Sequence, residues 1–223
     1  MNVEVNGSNG KVWKVSYTNG KWRCSCPDWR YRGAKWGTPC KHILQVKAQG
    51  IVEEKKRIPR EQADEVIAKV AFIRELSDRC EVCGSYRRGR ADVGDLDFLV
   101  VCDDYKWSLI YQRMGKEGKE VCGGMKKMSF WVDEVQVDVN RAKPEEWGAA
   151  LCHHTGSTAE NIRLREVAET KGWKLSQHGF ETPTGLVPVE SEQEVYEALG
   201  LSYREPKDRD GKEEGQGVVV RAA

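Results

Sequence analysis

The sequence predicts an α+β protein in which a small module of two strands and a helix precedes a larger module of helices and strands. The first observation is charge, since residues 1–60 carry 13 Lys and Arg against 4 Asp and Glu, while the whole chain carries only +1. The second is a set of Cys and His residues at metal-ligand spacing within that basic stretch. The third is an alternation of amphipathic helical segments and short apolar strands beyond residue 57.

Length and composition limit the classes of protein that the chain can be. Its 223 residues suit one large or two small domains, and 39% hydrophobic with 32% charged residues is typical of globular proteins. No run approaches the ~18 apolar residues of a membrane span, and MNVEVNGSNG lacks the features of a signal peptide. We therefore expect a cytoplasmic location and no membrane partner. The net charge of +9 in residues 1–60 favours a nucleic-acid partner, although charge runs also form solvated faces.

The basic module begins with a predicted hairpin. Asn19-Gly20 separates the strand-like runs KVWKVSYT and KWRCSC, and both turn residues tolerate positive φ. The segment CKHILQVKAQG predicts a short helix ended by Gly50. The metal-ligand residues are Cys24, Cys26, Cys40 and His42. Three thiolates and an imidazole suit one structural Zn²⁺, which would supply folding energy that so small a core lacks.

This Cys-x-Cys followed by Cys-x-His, with Trp22 just before it, resembles the SWIM zinc finger over about the first 50 residues. The resemblance implies a ββα fold that binds DNA or protein. Basic side chains that could meet phosphates are Arg23, Arg30, Arg32, Lys35, Lys41 and Lys47. Aromatic side chains that could stack on bases are Trp29, Tyr31 and Trp36. The alternative is that these aromatics pack around the zinc.

The second module begins with a predicted helix in RIPREQADEVIAKVAFIREL, starting near Pro59. Its apolar residues recur at helical spacing: Val66, Ile67, Val70, Ile73 and Leu76. A short strand, CEVC, then leads into GSYRRG. The backbone of Gly84-Ser85 and the guanidinium groups of Arg87 and Arg88 can donate to phosphate oxygens.

Three aspartates form the candidate catalytic centre. Asp95 and Asp97 begin the apolar strand VGDLDFLVV, and Asp138 lies in the later strand EVQVDVN. Residues two apart on a strand share a face, ~6–7 Å apart, and their carboxylates repel unless a cation separates them. Mg²⁺ prefers carboxylate oxygen, and three carboxylates on adjacent strands can hold two Mg²⁺ ions, with Mn²⁺ as a substitute. One ion would activate a hydroxyl nucleophile while the other steadies a triphosphate.

The blocks RIPRE, GSYRRG, GDLD, VQVDV and TGS occur in the order found in family X DNA polymerases, and the chain resembles the bacterial and archaeal branch from about Arg57 to Gly211. The resemblance implies a nucleotidyltransferase (polymerase beta-like) palm followed by a small α/β C-terminal subdomain. Together with the SWIM resemblance and the polar composition of the C-terminus, this divides the chain into five parts. They are a finger at 1–50, a linker at 51–56, a palm at 57–145, a nucleotide- and template-binding subdomain at 146–205 and a polar tail at 206–223.

The resemblance also implies roles for single residues. Asp95, Asp97 and Asp138 would bind the two Mg²⁺ ions, and Asp138 would help to deprotonate the primer 3′-hydroxyl. Arg165 would reach the template. The nucleotide-binding residues would be Arg57, Gly84, Ser85, Arg88, Gly94, His153, His154, Gly156 and Asn161.

The segment after TGS predicts a helix independently of the resemblance. Thr158 or Ser157 can cap a helix from about residue 159 to 171, and Gly172 can end it. Asn161 and Arg165, four residues apart, would then share a face.

The chain departs from the family pattern at several positions. His153 and His154 replace two aromatics, so either ribonucleotides are tolerated or the backbone alone excludes the 2′-hydroxyl. Gln136 and Asn140 stand where relatives often carry Arg, which should leave Asp138 more basic. The remaining thiols are expected to be buried or half-buried, without metal: Cys80, Cys83, Cys102, Cys122 and Cys152.

We therefore predict a magnesium-dependent DNA polymerase that adds dNTPs to a primer 3′-hydroxyl by two-metal transfer, in gap filling or DNA repair. Its partners would be a DNA primer–template and dNTP, with protein partners of the finger as a further option. A template-independent terminal transferase, a nucleotidyltransferase acting on RNA and a non-catalytic DNA-binding adaptor are the alternatives. No lyase or phosphoesterase domain is recognised, so lyase and exonuclease activities are not expected.

Overall fold

The computed structural model describes residues 2–7, 10–18, 21–30, 39–48 and 57–210. The chain forms two compact units, Met1–Lys56 and Arg57–Ala223. Some predicted features lie outside the described residues: Asn19-Gly20, Tyr31, Arg32, Lys35, Trp36, Gly50, the linker 51–56, the tail from residue 211 and the Lys47 side chain. No helix among the described ranges is long and apolar enough to cross a membrane.

The first unit is a three-stranded antiparallel sheet with a helix. Its elements are β1 (Asn2–Asn6), β2 (Val12–Thr18), β3 (Lys21–Cys24) and α1 (Lys41–Ala48). The predicted hairpin is β2–β3, in which Thr18 pairs with Lys21 across the two-residue loop. β1 is a third strand that the sequence analysis missed, and it pairs with β2. The core consists of apolar side chains together with the buried thiols.

The second unit is built on a five-stranded sheet of order β5–β7–β10–β9–β8. Its strands are β5 (Arg79–Val82), β7 (Leu96–Val101), β8 (Lys119–Cys122), β9 (Lys127–Val132) and β10 (Val135–Arg141). β7 and β10 are parallel, and the other neighbours are antiparallel. Two short strands, β4 (Ile58–Pro59) and β6 (Asp92–Val93), pair beside the sheet.

Four helices precede the C-terminal part of this unit: α2 (Arg60–Lys69), α3 (Phe72–Glu75), α4 (Gly84–Arg87) and α5 (Asp104–Glu117). The single predicted helix from Pro59 is therefore interrupted after Lys69. The interruption allows Val70, Phe72 and Ile73 all to be buried, whereas a regular helix would turn Phe72 ~200° away from Val70.

Strand alternation separates the main core from the candidate site. On β7, Leu96, Phe98 and Val100 point into the core shared with α2, α3 and α5. The intervening positions 97, 99 and 101 face the opposite side, where Leu99 and Val101 pack with α6. This two-residue period puts Asp97 on the face of the sheet that carries α6, away from the main core.

The C-terminal part contains α6 (Trp147–Thr155), α7 (Thr158–Thr170), α8 (Glu192–Leu199) and the antiparallel strands β11 (Lys174–Ser176), β12 (Gly179–Thr182) and β13 (Gly185–Val187). Two 3₁₀ turns, Pro144–Glu146 and Pro206–Asp208, flank these elements. α6 packs on both sides: Trp147, Ala150 and Leu151 meet the sheet, while Ala149 and Cys152 meet α7 and α8. The predicted boundary at residue 145 stays a prediction.

Candidate active site and metal sites

The four predicted zinc ligands converge in the first unit. The side-chain ligand atoms of Cys24, Cys26, Cys40 and His42 all lie within 4.8 Å of one another, and all four residues are buried. His42 Nδ1 faces the thiols, 3.8 Å from Cys24 Sγ. β3 supplies the first thiol, and the residue before α1 supplies Cys40.

The chemistry of this cluster fits Zn²⁺. Burial raises the pKa of Cys24 to about 12 and also raises the pKa of Cys40. Burial lowers the pKa of His42, so the imidazole is neutral and able to bind a metal. Three buried thiols in contact would be stabilised as thiolates by a dication, as in structural zinc sites.

The candidate nucleic-acid residues of the finger divide into two groups. Arg23, Arg30 and Lys41 are exposed. Trp29, in contrast, packs against the core of the finger, and its backbone N–H donates to Cys26 Sγ at 3.4 Å. Trp29 therefore follows the alternative interpretation, in which aromatics pack around the metal cluster.

Two of the three predicted aspartates, Asp97 and Asp138, lie on one face of the main sheet. Asp138 pairs in register with Asp97 across the parallel strands β10 and β7. Asp95 directly precedes the first residue of β7. Neighbouring strands are about 4.8 Å apart, so carboxylates on the same face at the same register are close. This donor set of carboxylate oxygens suits a hard divalent cation.

Asp138 is held by three donors. Its Oδ1 accepts from Ser129 Oγ at 2.5 Å and from Gln136 Nε2 at 2.9 Å, and its Oδ2 accepts from Lys127 Nζ at 2.7 Å. Burial raises the pKa of Asp138, but these hydrogen bonds outweigh burial, and the pKa lies below its ordinary value. The expectation of a more basic Asp138 assumed that no basic neighbour remained, and Lys127 contradicts that assumption.

Within the described part of the chain, the Cys and His cluster is the one group of three or more ligand residues whose atoms meet within 4.8 Å. The three aspartates do not form such a group. Lys127 Nζ lies 2.7 Å from Asp138 Oδ2. A cation bound by Asp138 through Oδ2 would therefore compete with the ammonium group of Lys127 for that oxygen.

The turn between β5 and α4 lies directly against Asp97. Cys83 N–H donates to the Asp97 carbonyl at 2.6 Å. Gly84 has a φ of +61°, and a Cβ built on it would lie 2.7 Å from Asp97 Oδ2. Ser85 follows as the second residue of α4. The sequence placed this turn beside the aspartates only through the family resemblance, and the structure brings them into contact.

Arg57 and Gly94 flank the β4–β6 pair that leads into β7. Arg57 Nε lies 2.7 Å from Asp92 Oδ2, and its Nη2 donates to the Asp92 carbonyl at 2.6 Å. Since Arg57 is 44% exposed, this pair is accessible to solvent. In the structure, then, Arg57 is bound to Asp92, and its predicted phosphate contact stays a prediction.

Arg87 and Arg88 both reach the end of α6. Arg87 Nη1 donates to Thr155 Oγ1 at 2.7 Å and to Glu192 Oε2 at 2.8 Å. Arg88 Nη1 donates to the Thr155 carbonyl at 2.5 Å, and its Nε donates to Asp210 Oδ1 at 2.6 Å. Glu192 and Asp210 could not be predicted as partners of these arginines, because they lie more than 100 residues further along the chain.

Gly156, between α6 and α7, lies at the meeting point of several predicted nucleotide residues. Its φ is +63°, and a Cβ there would lie 3.4 Å from Arg88 Nη1 and 3.8 Å from Asn161 Nδ2. Ser157 caps α7 by accepting from Glu160 N–H, as predicted. The predicted helix is thereby confirmed, and Gly172 beyond its end has a positive φ.

Asn161 and Arg165 share a face of α7, as their spacing predicts. Both side chains contact His153. Asn161 Nδ2 donates to the His153 carbonyl at 2.8 Å, and Arg165 Nη2 lies 3.1 Å from His153 Nδ1. Burial and the charge of Arg165 lower the pKa of His153. Arg165, expected at the template, is thus bound to α6 in this structure.

His154 faces a different space from His153. It lines a cavity of about 190 Å³ together with Lys127, Asn140, Glu146 and His178. Burial, followed by the charges of His153 and Lys127, lowers the pKa of His154 to about 4. The two histidine rings nevertheless touch edge to face, with centroids 5.1 Å apart.

The other cysteines follow the prediction with one exception. Cys83, Cys102 and Cys152 are buried and Cys80 is half-buried, but Cys122 is exposed. The expectation for Cys122 was wrong because it ends β8, an edge strand whose four residues are all exposed.

Comparison with known proteins agrees with this architecture. The chain matches the families described as DNA polymerase beta palm over residues 57–166, DNA polymerase beta thumb over residues 150–210 and SWIM zinc finger over residues 13–48. Repair DNA polymerase X of African swine fever virus is 32% identical over 148 residues, which cover 62% of this chain and 85% of the viral protein.

Two cellular relatives are longer than the region they share with this chain. DNA polymerase lambda of Rattus norvegicus is 28% identical over 189 residues, covering 69% of this chain and 33% of the rat protein. DNA polymerase/3′-5′ exonuclease PolX of Bacillus subtilis is 31% identical over 139 residues, covering 59% of this chain and 24% of that protein. The palm, the thumb and the extent of the viral match together show that the chain belongs to the family X DNA polymerases and carries an N-terminal SWIM zinc finger.

Proposed function

We propose that the chain is a DNA-directed DNA polymerase that adds dNTPs to a primer 3′-hydroxyl, with Asp95, Asp97 and Asp138 as its catalytic residues. The observation that carries this proposal is the register pairing of Asp97 with Asp138 on parallel strands. We further propose Mg²⁺, replaceable by Mn²⁺, as the metal of these carboxylates. When bound, two such ions would activate the hydroxyl and stabilise the charge of the triphosphate.

The chain's own residues prepare Asp138 for this role. The hydrogen bonds that lower its pKa favour the carboxylate form, which can bind a cation. Two of them, from Ser129 and Gln136, fix Oδ1. Oδ2 is then the atom available to take the hydroxyl proton or to bind a cation once Lys127 has moved. Lys127 is 48% exposed, so its side chain has room to leave.

The nucleotide would lie between α4 and α7. Support comes from the proximity of Arg88, Gly156 and Asn161, since guanidinium and amide groups donate to phosphate and base acceptors. The positive φ and missing side chain of Gly156 leave room beside these donors. Comparing the incorporation of rNTPs and dNTPs would show whether His153 and His154 admit a ribose 2′-hydroxyl.

The finger would bind the DNA primer–template. The net charge of +9 in residues 1–60 and the exposed Arg23, Arg30 and Lys41 support this role. Relatives named repair polymerases favour gap filling or DNA repair as the setting. Template-independent transfer is the second candidate, because Arg165, the expected template contact, bonds to His153 instead.

The proposal is tested by incubating the protein with Mg²⁺, a labelled primer and each dNTP or rNTP, with and without template. Extension that follows the template is the expected result. Extension without template would support the transferase, and incorporation of rNTPs as efficiently as dNTPs would show that the histidines admit ribose. DNA binding without any incorporation would leave only the non-catalytic adaptor.

A further inference from the structure

A carboxylate at the end of the described chain occupies the guanidinium that we expect to bind the triphosphate. Asp210 Oδ1 lies 2.6 Å from Arg88 Nε, and Asp210 Oδ2 lies 3.5 Å from Arg90 Nη1. Asp210 is 25% exposed and Arg88 is 15% exposed, so solvent screens this pair less than it screens an open surface pair.

We infer that Asp210 competes with the nucleotide triphosphate for Arg88 and thereby sets the enzyme's affinity for nucleotides. This inference rests on the proposed function, in which Arg88 binds the triphosphate. The inference adds to the proposed site a residue that sets the affinity for the triphosphate.

The first support is that Arg88 has a separate anchor. Its Nη1 donates to the Thr155 carbonyl at 2.5 Å, next to the backbone of Gly156. Since a backbone carbonyl at the end of α6 already fixes the guanidinium, Asp210 is not required to place it. The main effect of the contact between Arg88 and Asp210 is therefore to place a negative charge beside the guanidinium.

The second support is the contrast with the neighbouring arginine. Arg87 pairs with Glu192, a carboxylate that is 3% exposed and that also binds Arg209. That pair lies inside a packed network, where a carboxylate has to stay. Asp210 is 25% exposed and its second partner, Arg90, is 48% exposed. Its carboxylate can therefore turn toward solvent when a phosphate reaches Arg88.

The third support is electrostatic. A triphosphate carries several negative charges, and a carboxylate in contact with its binding arginine both repels the phosphates and offsets the arginine's charge. Charge-assisted bonds from guanidinium to phosphate are the same kind of interaction as the bond to Asp210, so the two anions exclude each other at Nε. Removing the charge of Asp210 should therefore raise the affinity for nucleotide.

The test compares Asp210→Asn with Asp208→Asn, a matched change at an exposed aspartate two residues earlier. We would measure template-directed single-nucleotide incorporation, and also binding of a non-hydrolysable dNTP to the full chain with primer–template. Asp210→Asn should lower both KM and Kd by about tenfold and leave kcat within about twofold. Asp208→Asn should match the parent, and added salt should narrow the difference between parent and Asp210→Asn.

Other results would overturn the inference. Unchanged nucleotide affinity in Asp210→Asn would show that Asp210 does not affect nucleotide binding. Weaker affinity would show that Asp210 positions Arg88 for the nucleotide. A second variant, Arg88→Met, distinguishes failure of this inference from failure of the proposed function. Thermal unfolding checks that Arg88→Met folds. If Arg88→Met binds nucleotide like the parent, both the phosphate role of Arg88 and the inference are wrong. If Arg88→Met weakens binding but Asp210→Asn does not tighten it, only the inference is wrong.

Discussion

The backbone of Gly84, just after β5, lies against the carboxylate of Asp97. Its φ of +61° favours glycine, and the space that a side chain would need is taken by Asp97 Oδ2, 2.7 Å from an added Cβ. Gly89 shares the first property, with φ of +74°, but nothing lies within 4 Å of an added Cβ there. Substituting each glycine in turn therefore distinguishes the effect of backbone strain from the effect of a steric clash with Asp97.

We expect Gly84→Ala to lower nucleotide incorporation by at least tenfold, because Asp97 has to move from its place beside Asp138. Gly89→Ala should carry a similar backbone cost of about 1 kcal/mol while keeping incorporation within about threefold of the parent. Incorporation rates and urea unfolding of both variants would check this. Equal incorporation by the two variants would mean that the position of Asp97 is not critical.

Single residues of the site differ in how well the sequence predicts them. Asp95, Asp97 and Asp138 stand out because carboxylates rarely begin or interrupt apolar strands without a partner. Lys127 and Ser129 could not be predicted, because their contact with Asp138 depends on the register of β9 against β10. That register is set by the turn and by packing, and one residue of slip would turn both side chains away.

At the scale of elements, α8 is tied to α4 and to the C-terminal segment by one buried carboxylate. Glu192 accepts from Arg87 Nη1 at 2.8 Å and from Arg209 Nη1 at 2.6 Å, and the Arg209 side chain is fully buried. Removing the charge would leave two guanidinium groups without their shared partner inside the protein.

Glu192→Gln should therefore lower the free energy of unfolding of the second unit by about 3 kcal/mol. Glu197→Gln, on the exposed side of the same helix, should change it by less than about 0.5 kcal/mol. Chemical denaturation of both variants would measure the difference. Equal stability of the two would show that this network does not hold α8 in place.

α6 carries a histidine whose protonation opposes folding. The pKa of His154 is lowered to about 4 by burial and by the neighbouring charges of His153 and Lys127, from an ordinary value of 6.5. Between these two pKa values the unfolded chain binds a proton that the folded chain does not. Stability from this residue is thus present above pH 6.5 and is lost as the pH falls toward 4.

His154→Phe should remove that part of the pH dependence, which amounts to up to about 3 kcal/mol. Denaturation of parent and variant at pH 7, 6 and 5 would compare their slopes. The parent should lose more stability than the variant over this interval. Parallel slopes would contradict a depressed pKa at His154.

The sequence predicts helices and strands better than it predicts the contacts between them. The α7 cap and the β2–β3 hairpin follow from local turn and capping chemistry, which acts within a few residues. The interruption between α2 and α3, the added strand β1 and the exposed position of Cys122 depend on packing between distant segments. Helical or strand periodicity carries no information about such packing.

At the scale of the whole molecule, the chain consists of two units with separate sources of stability. The first unit has a small core around a Cys and His cluster, and the second has a large apolar core. A metal therefore matters for folding in the first unit far more than in the second.

Cys40→Ser should abolish zinc binding and unfold the first unit, because three ligands bind Zn²⁺ too weakly to offset its small core. The second unit should unfold at the parent's denaturant concentration. Cys122→Ser changes an exposed thiol and serves as the matched control. Zinc content by mass spectrometry and the dispersion of amide NMR signals would report the two units separately. Retained dispersion of the first unit in Cys40→Ser would contradict a structural zinc.

The carboxylates of Asp97 on β7 and Asp138 on β10, with Asp95 just before β7, are proposed here as the centre of a polymerase active site. The most direct measurement is the template-directed extension rate of Asp138→Asn beside Asp133→Asn, an exposed aspartate in the turn between β9 and β10. We predict a loss of at least about a thousandfold for Asp138→Asn, with parental zinc content and thermal unfolding, and no loss for Asp133→Asn. Parental extension by a folded Asp138→Asn would contradict the account.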